Sequence, residues 1–236
     1  MKQILGALRK AVTDFDMIQD GDKIVVGISG GKDSMALLYA LKLFQRFSPS
    51  KFDLYGVTID MGFENFDLSP IYEFCSKIDM PYKVVCTEIA KIVFDIRKES
   101  NPCALCAKMR RGALHNTVKE LGFNKIALGH HSDDAIETMF LNMLYEGRVA
   151  TFKPLTYLDR KDIHNIRPFV YVKEHQVISA VRKHDIPVLK SPCPMDKNTK
   201  REEVKQMLNQ IYKTIPEGRD RLLTAINNKD NFELWW

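Results

Sequence analysis

The sequence predicts an α/β protein, a doubly wound parallel sheet with a helix before it and a helical extension after it. Three observations carry this reading. Short β-branched runs alternate with segments of helical period, the pattern of parallel strands joined by right-handed crossovers. The stretch "VVGISGGKDSMALL" at 25–38 passes from such a run through two glycines into an apolar-periodic segment: strand, turn, helix. Polar clusters at 29–34, 60 and 130–134 fall where strands should end, and ligands of such sheets sit beyond the carboxyl ends of the strands.

Taken in order, Ile4, Leu5, Leu8, Val12 and Phe15 recur at helical spacing, so an amphipathic helix is expected over 3–19. Asp20, Gly21 and Asp22 form a turn, 23–28 a strand and 34–47 a helix. "FDLYGVTID" is a second strand ending at Asp60, followed by a helix near 70–79 and a short strand at 82–86. Beyond a cysteine-bearing loop, 104–121 reads as a helix, "KIALGHH" as a strand and 133–145 as a helix. The less regular 148–165 has room for a hairpin; 173–184 is a helix, "PVLKSPCP" extended, and 199–213 and 217–228 are helices with mixed charged faces. The tail "FELWW" is expected to dock on the body or on a partner subunit. The expected division is an N-terminal helix at 1–22, an α/β domain at 23–190 and a helical extension at 191–236.

The chain's 236 residues, 45% of them hydrophobic, suffice for one large core or two small ones. No run is apolar enough to span a membrane, and "MKQILGALRK" lacks a cleavage site after an apolar core; a cytoplasmic location is the expectation. The net charge of +5 is compatible with nucleic acid and equally with a solvated basic surface. Five cysteines without a secretory signal argue against a disulfide scaffold. Cys75 and Cys86 lie in apolar patterns and read as packing residues. Cys103 and Cys106 form C-x-x-C in "NPCALCAKMRRG", and Cys193 sits between prolines in "KSPCPMD".

The glycine turn is not a Walker loop, because Asp33 follows Gly31-Lys32 and Val26 occupies the first glycine position. Gly27, Gly30 and Gly31 are also wrongly spaced for a dinucleotide fingerprint. What remains is Ser29-Gly30-Gly31-Lys32-Asp33-Ser34 at a strand-to-helix turn. Glycines admit an anion close to the backbone, the helix start offers unpaired N–H groups, Lys32 adds charge, and Ser29 and Ser34 add hydroxyls.

This hexapeptide resembles the pyrophosphate loop (PP-loop) of the N-type ATP pyrophosphatases, which have an adenine-nucleotide α-hydrolase-like fold. "DFDMIQDGDKIVVGISGGKDS", "NPCALCAKMRRG", "KIALGHHSDDAIETMFLNMLYEG" and "IRPFVYVKEHQV" together resemble the tRNA 2-thiocytidine synthetase family, from the first helix to about Cys193. The resemblance implies thiolation of cytidine 32 of tRNA. ATP adenylates the C2 oxygen, pyrophosphate leaves, and a sulfur nucleophile displaces AMP. It implies that Ser29, Gly30, Gly31, Lys32, Asp33 and Ser34 hold ATP, with Asp60, Gly129 and His130. Lys32, Asp33 and Asp134 are the expected catalytic residues, the two aspartates helping to place Mg²⁺. Asp60 reads equally as a turn residue, and Asp133 more readily than Asp134 as a helix cap. Glu137 and Asn142 are assigned no role.

Cys103, Cys106 and Cys193 are the expected thiolate ligands of a [4Fe–4S] cluster. Three leave one iron open, which can hold a hydrosulfide, the family's proposed nucleophile. A C-x-x-C alone also suits zinc, redox chemistry or packing. Many relatives carry a second cysteine where this chain has Asp196, so Asp196 stands as the alternative third ligand. Arg110 and Arg111 either hold tRNA phosphate or the adenylate, or form a solvated face. The expected partners are tRNA, a sulfur donor (sulfide or a cysteine desulfurase) and a second copy in a homodimer. The rival readings are a 2-thiouridine or lysidine synthetase, and a non-catalytic ATP- or metal-binding RNA module.

Overall fold

The strands Asp22–Gly27 (β1), Phe52–Asp60 (β2), Tyr82–Cys86 (β3), Lys125–Ala127 (β4), Leu155–Leu158 (β5) and Ile163–Ile166 (β6) form one sheet, ordered β3-β2-β1-β4-β6-β5. All pairings are parallel except β5 with β6. The computed structural model describes the chain apart from residues 65, 99–100, 196–198 and 229–236. Asp196 and the "FELWW" tail therefore lie outside the described residues.

Alternation along β1 sends side chains to opposite faces, as a strand must. Ile24 and Val26 enter the larger cluster, with Leu37, Leu38 and Leu41 of Lys32–Phe44 (α2), Leu8 of Lys2–Asp14 (α1), Ile71 of Ser69–Lys77 (α3) and Val177 of Glu174–Lys183 (α6). Val25 points the other way, to Val57, Ile126, Ile163 and Val118 of Pro102–Glu120 (α4). Helices thus cover both faces, which makes the sheet doubly wound. Ile136 of Ser132–Glu146 (α5) meets Val204 and Leu208 of Lys200–Thr214 (α7), with Leu222 of Gly218–Asn227 (α8) partly buried beside them. The C-terminal helices therefore pack on α5 through a small apolar cluster of their own.

Several boundaries differ from the periodicity reading. Helix α2 begins at Lys32, two residues earlier than its apolar residues indicate, because its first turn is polar. Strand β4 ends at Ala127; the rest of "KIALGHH" bends across the start of α2. A π-helical segment at Lys91–Arg97 has no counterpart in the expectations. The expected hairpin is β5–β6. Cys75 is buried, but Cys86 is exposed, contrary to expectation, because it ends the edge strand β3 with its side chain off the core.

The starts of β1 and β4 are joined by a buried ion pair, Lys125 Nζ to Asp22 Oδ2 at 2.6 Å, and Lys125 also donates to the Met17 carbonyl at 3.0 Å. Four of the five non-glycine residues with left-handed backbone among the described residues are aspartates: Asp16, Asp79, Asp162 and Asp185. Among the described residues, no helix is long and apolar enough to cross a membrane.

Candidate functional site

Between β1 and α2 the chain turns through Ile28, Ser29, Gly30 and Gly31. Gly31 is the N-cap and makes no side-chain capping bond, so the first-turn N–H groups face outward at the positive end of the helix. Two serines brace the turn. Ser34 Oγ accepts from Ser29 N–H at 3.1 Å, lies 3.1 Å from Ser29 Oγ and donates to the Gly31 carbonyl at 3.0 Å. Ser34 is buried and serves the turn itself, whereas Lys32 and Asp33 are partly exposed.

Two glycines here have steric reasons. Gly30 has φ +81°, and its Cβ would meet Leu189 at 3.2 Å; Leu189 N–H donates to the Gly30 carbonyl at 2.9 Å. Gly129, after β4, lies so close to the start of α2 that a Cβ would stand 2.9 Å from the Asp33 carbonyl carbon and 3.0 Å from Ser34 N.

Lys32 Nζ contacts Asp33 Oδ2 at 2.9 Å and Glu174 Oε1 at 3.1 Å. Burial opposes its charge, but the two carboxylates more than compensate and raise its pKa. Burial likewise opposes ionisation of Glu174, yet hydrogen bonds from Lys205 and Lys32 bring its carboxyl down to about 2. The other oxygen of Asp33, Oδ1, is buried without a hydrogen-bond partner and lies 3.5 Å from His131 Nε2. An unpaired buried carboxylate oxygen beside an outward-facing helix start suits a cation shared with a bound anion.

His131 and Asp134 form the capping box of α5: His131 Nδ1 accepts from Asp134 N–H at 3.3 Å, and Asp134 Oδ2 accepts from His131 N–H at 2.9 Å. The cap therefore falls to Asp134 and not to Asp133. Asp133 is buried instead, with Oδ2 accepting from Glu174 N–H at 2.8 Å and Oδ1 3.0 Å from Arg219 Nε. His130 packs on Phe152 at 5.2 Å between ring centroids, and Arg167 lies 5.0 Å from that ring's centroid. Burial drives the His130 imidazole down to about 4, Asp134 opposing and Arg167 and Arg201 assisting. It is neutral at pH 7, and its Nδ1 is buried without a partner.

Asp60 Oδ1 accepts from Gly62 N–H at 2.9 Å, bracing the turn after β2. Its successor Met61 lies at 3.6 Å, sulfur to sulfur, from Cys106. Asn101 caps α4 by accepting from Ala104 N–H at 3.3 Å, and Pro102 starts the helix, so Cys103 and Cys106 fall in its first two turns. Burial raises the Cys106 thiol; Arg110 counteracts, and Cys193 and Cys103 add to the rise. The three thiols thus share one neighbourhood with Arg110, while Arg111 is exposed. They are not drawn into a cage: among the described residues, no group of three His, Cys, Asp or Glu side chains converges as a metal site. In donor chemistry the trio fits an iron–sulfur cluster, being all sulfur with two thiols on one helix.

The sequence reading missed Glu174, Arg201, Lys205 and Arg219. Arg201 Nη1 sits 3.2 Å from buried Glu137 Oε2 and 3.8 Å from Asp134 Oδ1. Burial and Asp134 raise the Glu137 carboxyl pKa, with Arg201 pulling the other way. Glu174, at the start of a helix, carried a weak signal; the three cations, on mixed charged faces, carried none.

The profile of the PP-loop domain family matches residues 2–212. The chain is 39% identical over 229 residues to a protein of Aliivibrio fischeri named tRNA-cytidine(32) 2-sulfurtransferase, covering 96% of this chain and 75% of the relative. It is 36% identical over 230 residues to one of the same name from Geobacter sulfurreducens, covering 96% and 90%. Among solved structures it resembles the U34-tRNA thiolase NcsA from Methanococcus maripaludis with its [4Fe-4S] cluster, at TM-score 0.81 and 24% identity, over 98% of this chain and 79% of that one.

Proposed function

The chain belongs to the tRNA-cytidine(32) 2-sulfurtransferase family of PP-loop proteins, and we propose that it is the enzyme that makes 2-thiocytidine in tRNA at the expense of ATP. The observation that carries this reading is a tether. Leu189 is bonded to Gly30 of the phosphate turn, and four residues later Cys193 lies within electrostatic reach of Cys106. Four residues span at most about 14 Å, which supports reading the nucleotide cradle and the thiols as parts of one reaction site.

In this reading the outward N–H groups of α2 and Lys32 hold the phosphates, and they stabilise the charge that pyrophosphate carries away as the cytidine C2 oxygen bonds to the α-phosphorus. Asp33, with its unpaired oxygen, helps hold Mg²⁺. Asp134 keeps His131 in place through the capping box, and neutral His130 offers an unprotonated nitrogen. Asp60 and Gly129 shape the adenosine and phosphate walls. Cys103, Cys106 and Cys193 would hold a [4Fe–4S] cluster, which supplies the sulfur nucleophile that displaces AMP. Arg110 lies beside those thiols and, with exposed Arg111, offers charge to tRNA phosphate. The same reading includes a cytoplasmic location, sulfide or a cysteine desulfurase as donor, and a homodimer, for which exposed Met143, Leu144 and Val149 at the end of α5 offer an apolar face. The segments 1–22, 23–190 and 191–236 are its three parts.

The test is nucleoside mass analysis of tRNA incubated with ATP, sulfide and anaerobically prepared protein. Wild type yields 2-thiocytidine, and Lys32→Ala yields none while remaining folded. Normal thiolation by Lys32→Ala refutes the cradle, and 2-thiouridine or lysidine in place of 2-thiocytidine refutes the substrate.

A further inference from the structure

We infer that Glu174, Lys205 and Arg219 are positioning residues for Lys32, so that the C-terminal helices α7 and α8 aim the phosphate-binding lysine. This rests on the reading of 29–34 as the phosphate cradle.

A lysine ammonium is a point charge on a flexible stem with considerable rotamer freedom. Its direction is set by whatever holds it. Asp33 is the next residue on the same helix, so the cross-element hold comes from Glu174, whose Oε1 is 3.1 Å from Lys32 Nζ. That oxygen is also 2.7 Å from Lys205 Nζ of α7. The backbone of Glu174 is fixed as well: its N–H donates to Asp133 Oδ2 at 2.8 Å. Asp133 Oδ1 is gripped at 3.0 Å by Arg219 Nε of α8, and Arg219 stacks 4.7 Å over Tyr212 of α7. On the other side, Lys173 Nζ pairs with Asp220 Oδ1 of α8 at 2.6 Å. Helix α8 therefore holds Lys173, the residue before Glu174, and Asp133, the acceptor of the Glu174 N–H, while α7 holds the carboxylate itself.

The gap lined by Asp133, Glu174, Lys205, Leu208, Tyr212 and Arg219 is only about 10 Å³, at the limit for a single water. Lys32, Lys205 and Arg219 keep about a quarter to a third of their side chains exposed, so the hold on Lys32 comes from the geometry of the shared carboxylate and not from unscreened charge. When a triphosphate arrives, Lys32 exchanges Asp33 for phosphate and keeps Glu174, as its three donors allow, and Lys205 stays as a second counter-ion of Glu174. The carboxylate thus directs Lys32 in the bound complex as well, while its negative charge disfavours the incoming polyanion.

This gives a signature that a merely structural role does not. Replacing Glu174 by Gln removes both the aim and the repulsion. The rate of AMP formation by the cluster-loaded enzyme with tRNA and sulfide should fall about tenfold or more. The ATP KM should stay level or drop, since ground-state repulsion is relieved. Lys205→Met should lower kcat similarly, Lys205→Arg should restore most of it, and Glu174→Gln/Lys205→Met should be no worse than Glu174→Gln alone. Should Glu174→Gln fail to fold, the Lys205 pair decides by itself, since that side chain is a third exposed. Wild-type kcat in Lys205→Met, or a loss seen only as raised KM and lowered Tm without rescue by Arg, overturns the inference. Lys32→Ala, measured alongside, separates the two readings. If it is inactive while Glu174 and Lys205 variants match wild type, only the positioning role falls. If Lys32→Ala is fully active, the cradle itself is wrong.

Discussion

Gly129→Ala is the sharpest test of how the site is built. The added Cβ would stand 2.9 Å from the Asp33 carbonyl carbon and 3.0 Å from both the Asp33 oxygen and Ser34 N, where ordinary contact begins at 3.4 Å. The overlap is about half an ångström against three backbone atoms, none of which can rotate away. Either the "GHH" segment or the start of α2 must move. Overpacking of this kind costs about 1–3 kcal/mol, which in a chain of this size lowers Tm by roughly 2–12 °C. Moving the first turn of α2 also misdirects its N–H groups and Lys32, so ATP affinity should fall about tenfold or more. Thermal unfolding and equilibrium binding of a non-hydrolysable ATP analogue read the two effects. Gly112→Ala is the control: nothing lies within 4 Å of its added Cβ, and in the interior of α4 it should gain about 0.8–1 kcal/mol of helix propensity. A Gly129→Ala protein with wild-type Tm and ATP affinity would refute the close approach and its role.

Three further outcomes are expected. Stability should fall with acid in two windows. Burial refuses His130 a proton that the unfolded imidazole accepts, so its contribution is lost as pH drops from about 6.5 through about 4. The depressed Glu174 carboxyl contributes fully above about 4.5, and that contribution fades toward about 2. Urea midpoints against pH should lose the upper window in His130→Phe and the lower in Glu174→Gln. Iron analysis of anaerobic protein should show loss of iron in Cys103→Ser, Cys106→Ser and Cys193→Ser with ATP binding kept. Cys75→Ser should retain iron but lose about 1–3 kcal/mol, because a hydroxyl replaces a buried thiol, and exposed Cys86→Ser should change little. tRNA affinity should fall steeply between low and moderate salt as phosphate counter-ions compete with lysine and arginine; a flat titration would remove tRNA as the partner.

The alternation of strands and helices was legible because burial imposes a period on the sequence. The β-branched run at 23–28 read as a strand and the apolar-periodic 34–47 as a helix, and the structure buries Ile24, Val26, Leu37, Leu38 and Leu41 in one cluster and Val25 in the other. Boundaries set by polar atoms were not legible. The early start of α2 and the end of β4 depend on where N–H groups and Gly129 must sit, which hydropathy does not record. Of the site, the glycine turn and the cysteines were visible as local patterns. The pairings of Glu174 with Lys205 and of Asp133 with Arg219 were not, since they join charges 31 and 86 residues apart and a charged residue on a mixed helix face carries no address for its partner. Asp133 and Asp134 show the same limit. Adjacent in sequence and alike in chemistry, they differ only in which neighbours fold against them.

The left-handed aspartates have an implication for how this protein can be changed. Asp16, Asp79 and Asp162 stand shortly before the starts of β1, β3 and β6, at the edge of the sheet away from the phosphate turn. An L-residue in that conformation carries strain that glycine lacks, so each position is a small reserve of stability that the chain has left unused. Glycine at all three would recover up to about 1 kcal/mol of strain per position, less the conformational entropy that glycine adds to the unfolded chain and the weak surface bonds that are lost, such as Tyr157 to Asp162. Because the reserve lies where strands begin and the chemistry where strands end in the same sheet, thermal robustness and turnover can be adjusted independently. Relief of strain at that lower edge would leave the cradle, the thiols and the charged network above it unaltered.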